Sequence, residues 1–285
     1  MDLLAKLKAL YKECFSDSDE CAEYLFQTRL GIHNALFSQS NGVITSSLYL
    51  VDKKLDYCGK TVGLPFVVGL CTKKEFRNKG LARKLLKKAV KKCQAPFIML
   101  YPQIFGFYEK MDFAVISYDD IIDQSKYVKK PCDNAWEMYE LYLRYIENMD
   151  YYSVLDIKGF EELIKITELD GGRYYLLYDR NQNLAGFTNG EEGLSLVPEN
   201  KKPGVMARIA DLKQALSLLD EDIDIKIKLT DSLIEENNIT FKYKGGQIIE
   251  CADYDEVLSV SQLTRSLFGA GGKLKNIKGY IFERY

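Results

Sequence analysis

The run Arg77-Asn78-Lys79-Gly80-Leu81-Ala82 is the part of this chain whose residue types and spacing most directly suggest chemistry. It lies between an apolar stretch at 64–72 and an amphipathic stretch that begins at Leu81. A helix starting there leaves its first N–H groups without intrahelical acceptors and carries the positive end of the helix dipole. Gly80 lets the backbone come close to a ligand, and the small Ala82 avoids crowding it. A pyrophosphate suits such a cradle. The neighbouring lysines could add attraction for a further phosphate on a nucleotide. A second candidate is Tyr108, in Phe107-Tyr108-Glu109-Lys110-Met111-Asp112-Phe113.

Regular elements must hold these residues. Leu3, Leu4, Leu7, Leu10, Tyr11 and Cys14 share one helical face, and Ser16-Asp17-Ser18-Asp19 offers a cap for a second helix. Strands are expected over 35–38 and 43–51, joined at the turn Asn41-Gly42, with a further strand over 54–58 and a central one over 64–72. Leu81, Ala82, Leu85, Leu86, Ala89, Val90 and Cys93 form one stripe of a helix whose other face carries Arg83 and five lysines. That basic face reads as a solvated surface, or as a patch for a coenzyme or a nucleic acid. Pro96 ends the helix, and a buried strand over 97–100, a short helix over 105–111 and a strand over 113–118 follow. Residues 119–135 read as a connector. Beyond it come helices near 138–149, 159–169 and 211–219, strands over 173–178, 184–187, 205–209, 223–229, 239–243 and 247–251, and a last helix over 256–268.

Arg77-x-x-Gly80-x-Ala82 resembles the R/Q-x-x-G-x-G/A signature of the GNAT acetyltransferase superfamily, and it sits between strand and helix as that family requires. The run from Phe107 to Phe113 resembles the second GNAT signature, F-Y-E-K-x-G-F, with Asp112 in place of the usual glycine. Aspartate tolerates the left-handed backbone better than most residues. The resemblance implies an N-acetyltransferase using acetyl-CoA as co-substrate, with no metal. It implies that the strand backbone of Leu70, Cys71 and Thr72 receives the pantetheine arm. The N–H groups of Arg77, Asn78, Lys79, Gly80, Leu81 and Ala82 would hold the pyrophosphate, and Tyr108 would protonate the departing thiolate. The acceptor would be a primary amine of a small molecule or a protein. A lysine-like amine is neutral in only about 1 part in 2,500 at pH 7, so a base must help remove its proton.

Three cues in the last third resemble a sterol-carrier-protein-2 fold: Val205 to Asp211, Lys228 to Asp231 before Asn237-Asn238, and Leu263 to Gly269. A GNAT domain followed by such a unit resembles the enhanced-intracellular-survival (Eis-type) acetyltransferases. In that family the terminal carboxylate reaches the transfer site, which here implies Tyr285 as the base. The expected fold class is α/β (α+β): a GNAT domain with a mixed central sheet over 1–125, a connector or truncated second GNAT-like segment over 126–200, and a smaller α+β sterol-carrier-like domain over 201–285. A competing reading keeps the coenzyme site but makes the protein a catalytically idle sensor of acyl-CoA or of an apolar ligand.

Composition narrows the field. Of the 285 residues, 47% are hydrophobic and 28% charged, the balance of a folded globular chain. A formal charge of −2 and a pI of about 5.7 argue against a dedicated nucleic-acid binder. No apolar run approaches the roughly 20 residues that span a bilayer, so no membrane partner is expected. The N-terminus shows no secretory leader. Seven cysteines, at 14, 21, 58, 71, 93, 132 and 251, have no C-x-x-C spacing, so neither a disulfide framework nor a zinc site is expected. A cytoplasmic protein is expected, with a homo-oligomer left open. The single histidine, His33, gives little support to a serine or cysteine nucleophile.

Overall fold

The computed structural model describes residues 2–198, 200–219, 223–269 and 274–283. Two helices open the chain. α1 (Leu3–Cys14) starts where the Asp2 carboxylate accepts from Ala5 N (2.8 Å), and it buries Leu7, Leu10 and Tyr11. α2 (Asp19–Thr28) is capped by Ser18, whose hydroxyl accepts from Cys21 N (3.0 Å). β1 (Ala35–Ser40) and β2 (Val43–Tyr57) form the expected hairpin, with Asn41 and Gly42 at φ 49° and 77°. Both central positions of such a turn need positive φ. β2 runs unbroken to Tyr57, so the separate strand expected over 54–58 is its continuation. Asp52-Lys53-Lys54 is charged, but charge without turn chemistry does not end a strand. A turn at Cys58-Gly59 leads into β3 (Lys60–Thr72).

The site-bearing elements follow: α3 (Leu81–Lys92), β4 (Phe97–Leu100), α4 (Phe105–Glu109) and β5 (Ala114–Val115). The supposed connector holds two strands, β6 (Tyr118–Ile121) and β7 (Val128–Pro131). After them come α5 (Ala135–Ile146), β8 (Tyr151–Ser153), α6 (Ile157–Leu169), β9 (Tyr175–Tyr178), β10 (Leu184–Thr188), β11 (Gly193–Ser195), β12 (Asn200–Pro203) and β13 (Met206–Ile209). The chain ends with α7 (Leu212–Leu216), β14 (Asp224–Thr230), β15 (Thr240–Lys244), β16 (Gln247–Glu250), β17 (Glu256–Ser259), α8 (Val260–Leu267) and β18 (Gly279–Tyr280). The helix expected over 256–268 therefore begins at Val260. Ser259 and Gln262 form a capping box there, and Glu256 to Ser259 instead pair in parallel with β14.

The main sheet has eight strands in the order β18-β8-β2-β3-β4-β13-β5, with β1 also on β2. Three of these strands come from beyond residue 125. β13 lies antiparallel between β4 and β5, pairing Met206 with both Leu100 and Val115. One face of the sheet carries α1 and α2, where Leu7, Tyr11, Leu25 and Phe26 pack in one core with Tyr49, Phe66 and Val68. The other face carries α3, whose Leu85, Leu86, Ala89 and Val90 cover Leu48, Val67, Ile98 and Leu100. Among the described residues three further sheets complete the fold: the four-stranded β11-β10-β9-β7 beside α5 and α6, the four-stranded β16-β15-β14-β17 leading into α8, and the two-stranded pair β12-β6. No helix among the described residues is long and apolar enough to cross a membrane.

Candidate active site

β3 is paired with β2 almost throughout, from Tyr57–Lys60 to Ser46–Thr72. On its other side it pairs with β4 only at Phe66–Met99 and Val67–Leu100. Past Val67 the two parallel strands separate. A bulge accompanies the separation: Gly69 and Leu70 face the single residue Leu48 across the ladder, with Gly69 at φ 60°. Leu70, Cys71 and Thr72, the residues expected to receive the pantetheine arm, therefore edge a wedge between β3 and the segment after β4. Ligands of open α/β sheets gather at such carboxyl ends of parallel strands.

The loop after β3 places the other residues expected to meet the coenzyme at the same end. Asn78 (φ 61°) and Gly80 (φ 73°) are left-handed, and Gly80 is the N-cap of α3, with no side chain capping the helix. The first helical bond runs from Lys84 N to Gly80 O (3.0 Å). No acceptor among the described residues serves the N–H groups of residues 78–83. A Cβ added at Gly80 would meet open space. Arg77 turns back, with Nε donating to Thr72 O (3.1 Å), and Lys79 Nζ lies 4.9 Å from the centre of the Phe76 ring. Exposed donors, a helix dipole and open space over a glycine fit a pyrophosphate.

A pair of thiols sits beneath this loop. Cys14, at the end of α1, donates to Thr72 O (3.9 Å), and buried Cys71 is 3.4 Å from Ser47 Oγ. Cys14 is the thiol that ionises first, because the Cys71 thiol and the Arg77 guanidinium both favour its anion. The Cys71 thiol is pushed up by Cys14 and by burial.

Tyr108 stands on α4, half-buried against Phe107 and Phe113 at ring separations of 5.0 and 5.9 Å. It shares the α3-side core with Leu70. Burial pushes its phenol up to about 12. Asp112, in the glycine position of the second signature, is left-handed at φ 59°. Its side chain has found a further use, accepting from Ser232 N (2.7 Å). Around that bond lies a buried junction. Arg208 Nη1 donates to Met111 O (2.6 Å) and Nη2 pairs with Asp231, both side chains being fully buried. Asp231 also accepts from Leu233 N and Ile234 N, each at 2.8 Å. Arg83, on α3, donates to Lys110 O (3.2 Å) and to Ser232 O. The turn after Tyr108 is thus held from both α3 and the C-terminal sheet.

The chain's end is buried as far as it is described. β18 lies parallel to β8, Ile281 N donates to Ser117 Oγ (3.0 Å), and Phe282 N donates to Ser153 Oγ (3.1 Å). Glu283 pairs with Lys53 on β2 (2.7 Å), which faces Leu64, two residues before Phe66 where β3 meets β4. Tyr285 lies outside the described residues. Among the described residues no group of histidines, cysteines and carboxylates could hold a metal ion. Sequence reasoning singled out neither Cys14 nor Tyr101, whose hydroxyl donates to buried Asp119 (2.6 Å). A tyrosine directly after a buried strand and an Asp-Asp pair in an otherwise apolar stretch are the signals for that pair.

Comparison with known proteins agrees with this geometry. Residues 2–116 match the family model described as the acetyltransferase (GNAT) domain. No curated protein matches the sequence. Among solved structures, a GCN5-related N-acetyltransferase from Anabaena variabilis is similar at a TM-score of 0.67 and 14% identity, covering 98% of this chain and 96% of that one. A conserved protein from Enterococcus faecalis, described as a probable N-acyltransferase, has a TM-score of 0.66 at 13% identity, with coverages of 93% and 87%. Eis1 from Mycobacterium abscessus has a TM-score of 0.65 at 10% identity, with coverages of 93% and 86%. Residues 2–116 are therefore similar to the acetyltransferase (GNAT) domain, and the mixed α/β fold is shared along nearly the whole chain with those structures.

Proposed function

We propose that the protein moves the acetyl group of acetyl-CoA to a primary amine by direct attack. The observation that carries this reading is the row of N–H groups without acceptors at residues 78–83, set at the end of a strand that separates from its neighbour. In this reading the row takes the pyrophosphate, and the backbone of Leu70, Cys71 and Thr72 aligns the pantetheine arm. Tyr108 acts as general acid toward the departing sulfur. Its raised pKa keeps the proton on the phenol at every working pH. It also makes the phenol a weaker acid, but the burial that raises it raises a thiolate formed against it as well. The carboxylate of Tyr285 is the proposed base, supported by the buried course of residues 280–283 towards the level of Phe66. The sheet of β14–β17 with α8 is, in the same reading, the sterol-carrier-like part.

Thiol release from acetyl-CoA across a panel of primary amines tests the proposal. Tyr108→Phe should lower kcat by about 100-fold or more while leaving acetyl-CoA binding nearly unchanged, the usual scale for a lost general acid. For the wild type, no alkaline fall in kcat below about pH 11 should trace to Tyr108, because its folded pKa lies above the unfolded value. Deleting Tyr285 should impair turnover in the same assay. Acetyl-CoA binding without thiol release for any amine would favour the idle-sensor reading.

A further inference from the structure

On the face of the sheet opposite Tyr108 lies a hydrogen-bonded tyrosine–aspartate pair. Tyr101 directly follows Leu100, the last β4 residue paired with β3 before the strands separate. It packs in the core on the α1–α2 side, whereas Tyr108 belongs to the α3 side. Its hydroxyl donates to Asp119 Oδ2 (2.6 Å). Asp119 is only 3% exposed, and burying a carboxylate is costly unless it is hydrogen-bonded. The position is tightly held: any Cβ at Gly204 would come within 2.8 Å of Asp119 Oδ1. Neighbouring Asp120 is fixed separately, by Tyr145 Oη (3.0 Å) and Ser195 N (3.0 Å). The C-terminal tail reaches the same core, through Ile281 and its bond to Ser117.

We infer that, once the Tyr285 carboxylate has taken the ammonium proton of the incoming amine, Tyr101, held by Asp119, accepts the second proton, the one lost as nitrogen attacks, with Asp119 as the positioning residue and final proton store. This rests on the acetyltransferase reading above. As the amine nitrogen bonds the acetyl carbon, one N–H proton passes to Tyr101 Oη, and the Tyr101 proton passes to Asp119 Oδ2. The carbon–sulfur electron pair leaves on sulfur, which takes the Tyr108 proton. Exchange with water restores Asp119 and Tyr108. Acid and base thus act from opposite faces of the separated strands, so the two proton transfers do not compete for one space.

Tyr101→Phe and Asp119→Asn test this, each keeping side-chain volume. With strongly basic alkylamines, Tyr101→Phe should lower kcat about 100-fold, the scale of a lost general base. With weakly basic hydrazines or arylamines, whose attacking nitrogen loses its proton readily, the deficit should shrink to a few-fold. Acetyl-CoA binding measured by calorimetry should stay at the wild-type value, which also reports an intact fold. Asp119→Asn should show the same dependence on amine basicity. Full kcat in Tyr101→Phe, or an equal loss with every amine, would overturn the relay while leaving the acetyltransferase reading in place. A wild-type protein that releases no thiol with any amine would remove that reading, and the relay with it.

Discussion

Gly80→Val should weaken acetyl-CoA binding about 100-fold and raise its KM in proportion, with kcat little changed. Two costs combine. The residue is held at φ 73°, and an L-residue in that conformation pays about 1–2 kcal/mol, more when β-branched; the free valine loop relaxes out of it, so the cost is met on binding. The open space over Gly80 is also where a phosphate would approach the N–H row. Losing one charge-assisted hydrogen bond there costs about 1.5–3 kcal/mol. Every 1.4 kcal/mol is about tenfold in affinity, so the sum reaches the stated range. Gly80→Ala carries the same backbone strain with less bulk and should fall in between. Calorimetric titration checks both. An unchanged dissociation constant for the valine variant would take this loop out of the coenzyme site.

The largest loss of stability should follow Arg208→Met. Both members of the Arg208–Asp231 pair are fully buried, and removing one leaves the other's charge uncompensated. Breaking such a pair costs about 3–5 kcal/mol. Asp231 keeps its bonds from Leu233 N, Ile234 N and Asn237 Nδ2, which places the expected cost at about 3 kcal/mol, the lower end of that range. For a chain of this size that lowers Tm by roughly 6–12 °C. Met111 O loses a donor too, in the turn three residues after Tyr108, so kcat should drop in the conservative variant Arg208→Lys even where it remains folded. Thermal unfolding followed by circular dichroism, beside kinetics on Arg208→Lys, measures both effects. A Tm shift below about 2 °C would show that the pair adds no net stability.

What could be read directly from the chain was what local spacing encodes. The stripe from Leu81 to Cys93 marks α3, Asn41-Gly42 marks the β1–β2 hairpin, and Arg77-x-x-Gly80-x-Ala82 marks the left-handed turn that opens α3, because every member lies within six residues. Asp112 adopts the left-handed turn its place in the second signature requires. Contacts made by distant residues left no such trace. Tyr101 and Asp119 are 18 positions apart, and Arg208 reaches Met111 across 97. β5 and β18 have two residues each, too few to show a period. Residues 119–121 looked like the start of a connector because Asp119 and Asp120 are charged. Both are in fact buried, with tyrosine hydroxyls bonded to them.

The place of β13 between β4 and β5 bears on how the protein is made. Emerging from the ribosome, the first 116 residues contain both signatures, but β4 and β5 have no bond partner between them until Met206–Ile209 has been translated. For that interval the nascent chain exposes unpaired strand edges, the kind of surface that invites mispairing. The closing step joins residues about a hundred positions apart, and such long loops slow folding. Release of a truncated product, cut after the region that carries the two signatures, would leave that gap permanently open.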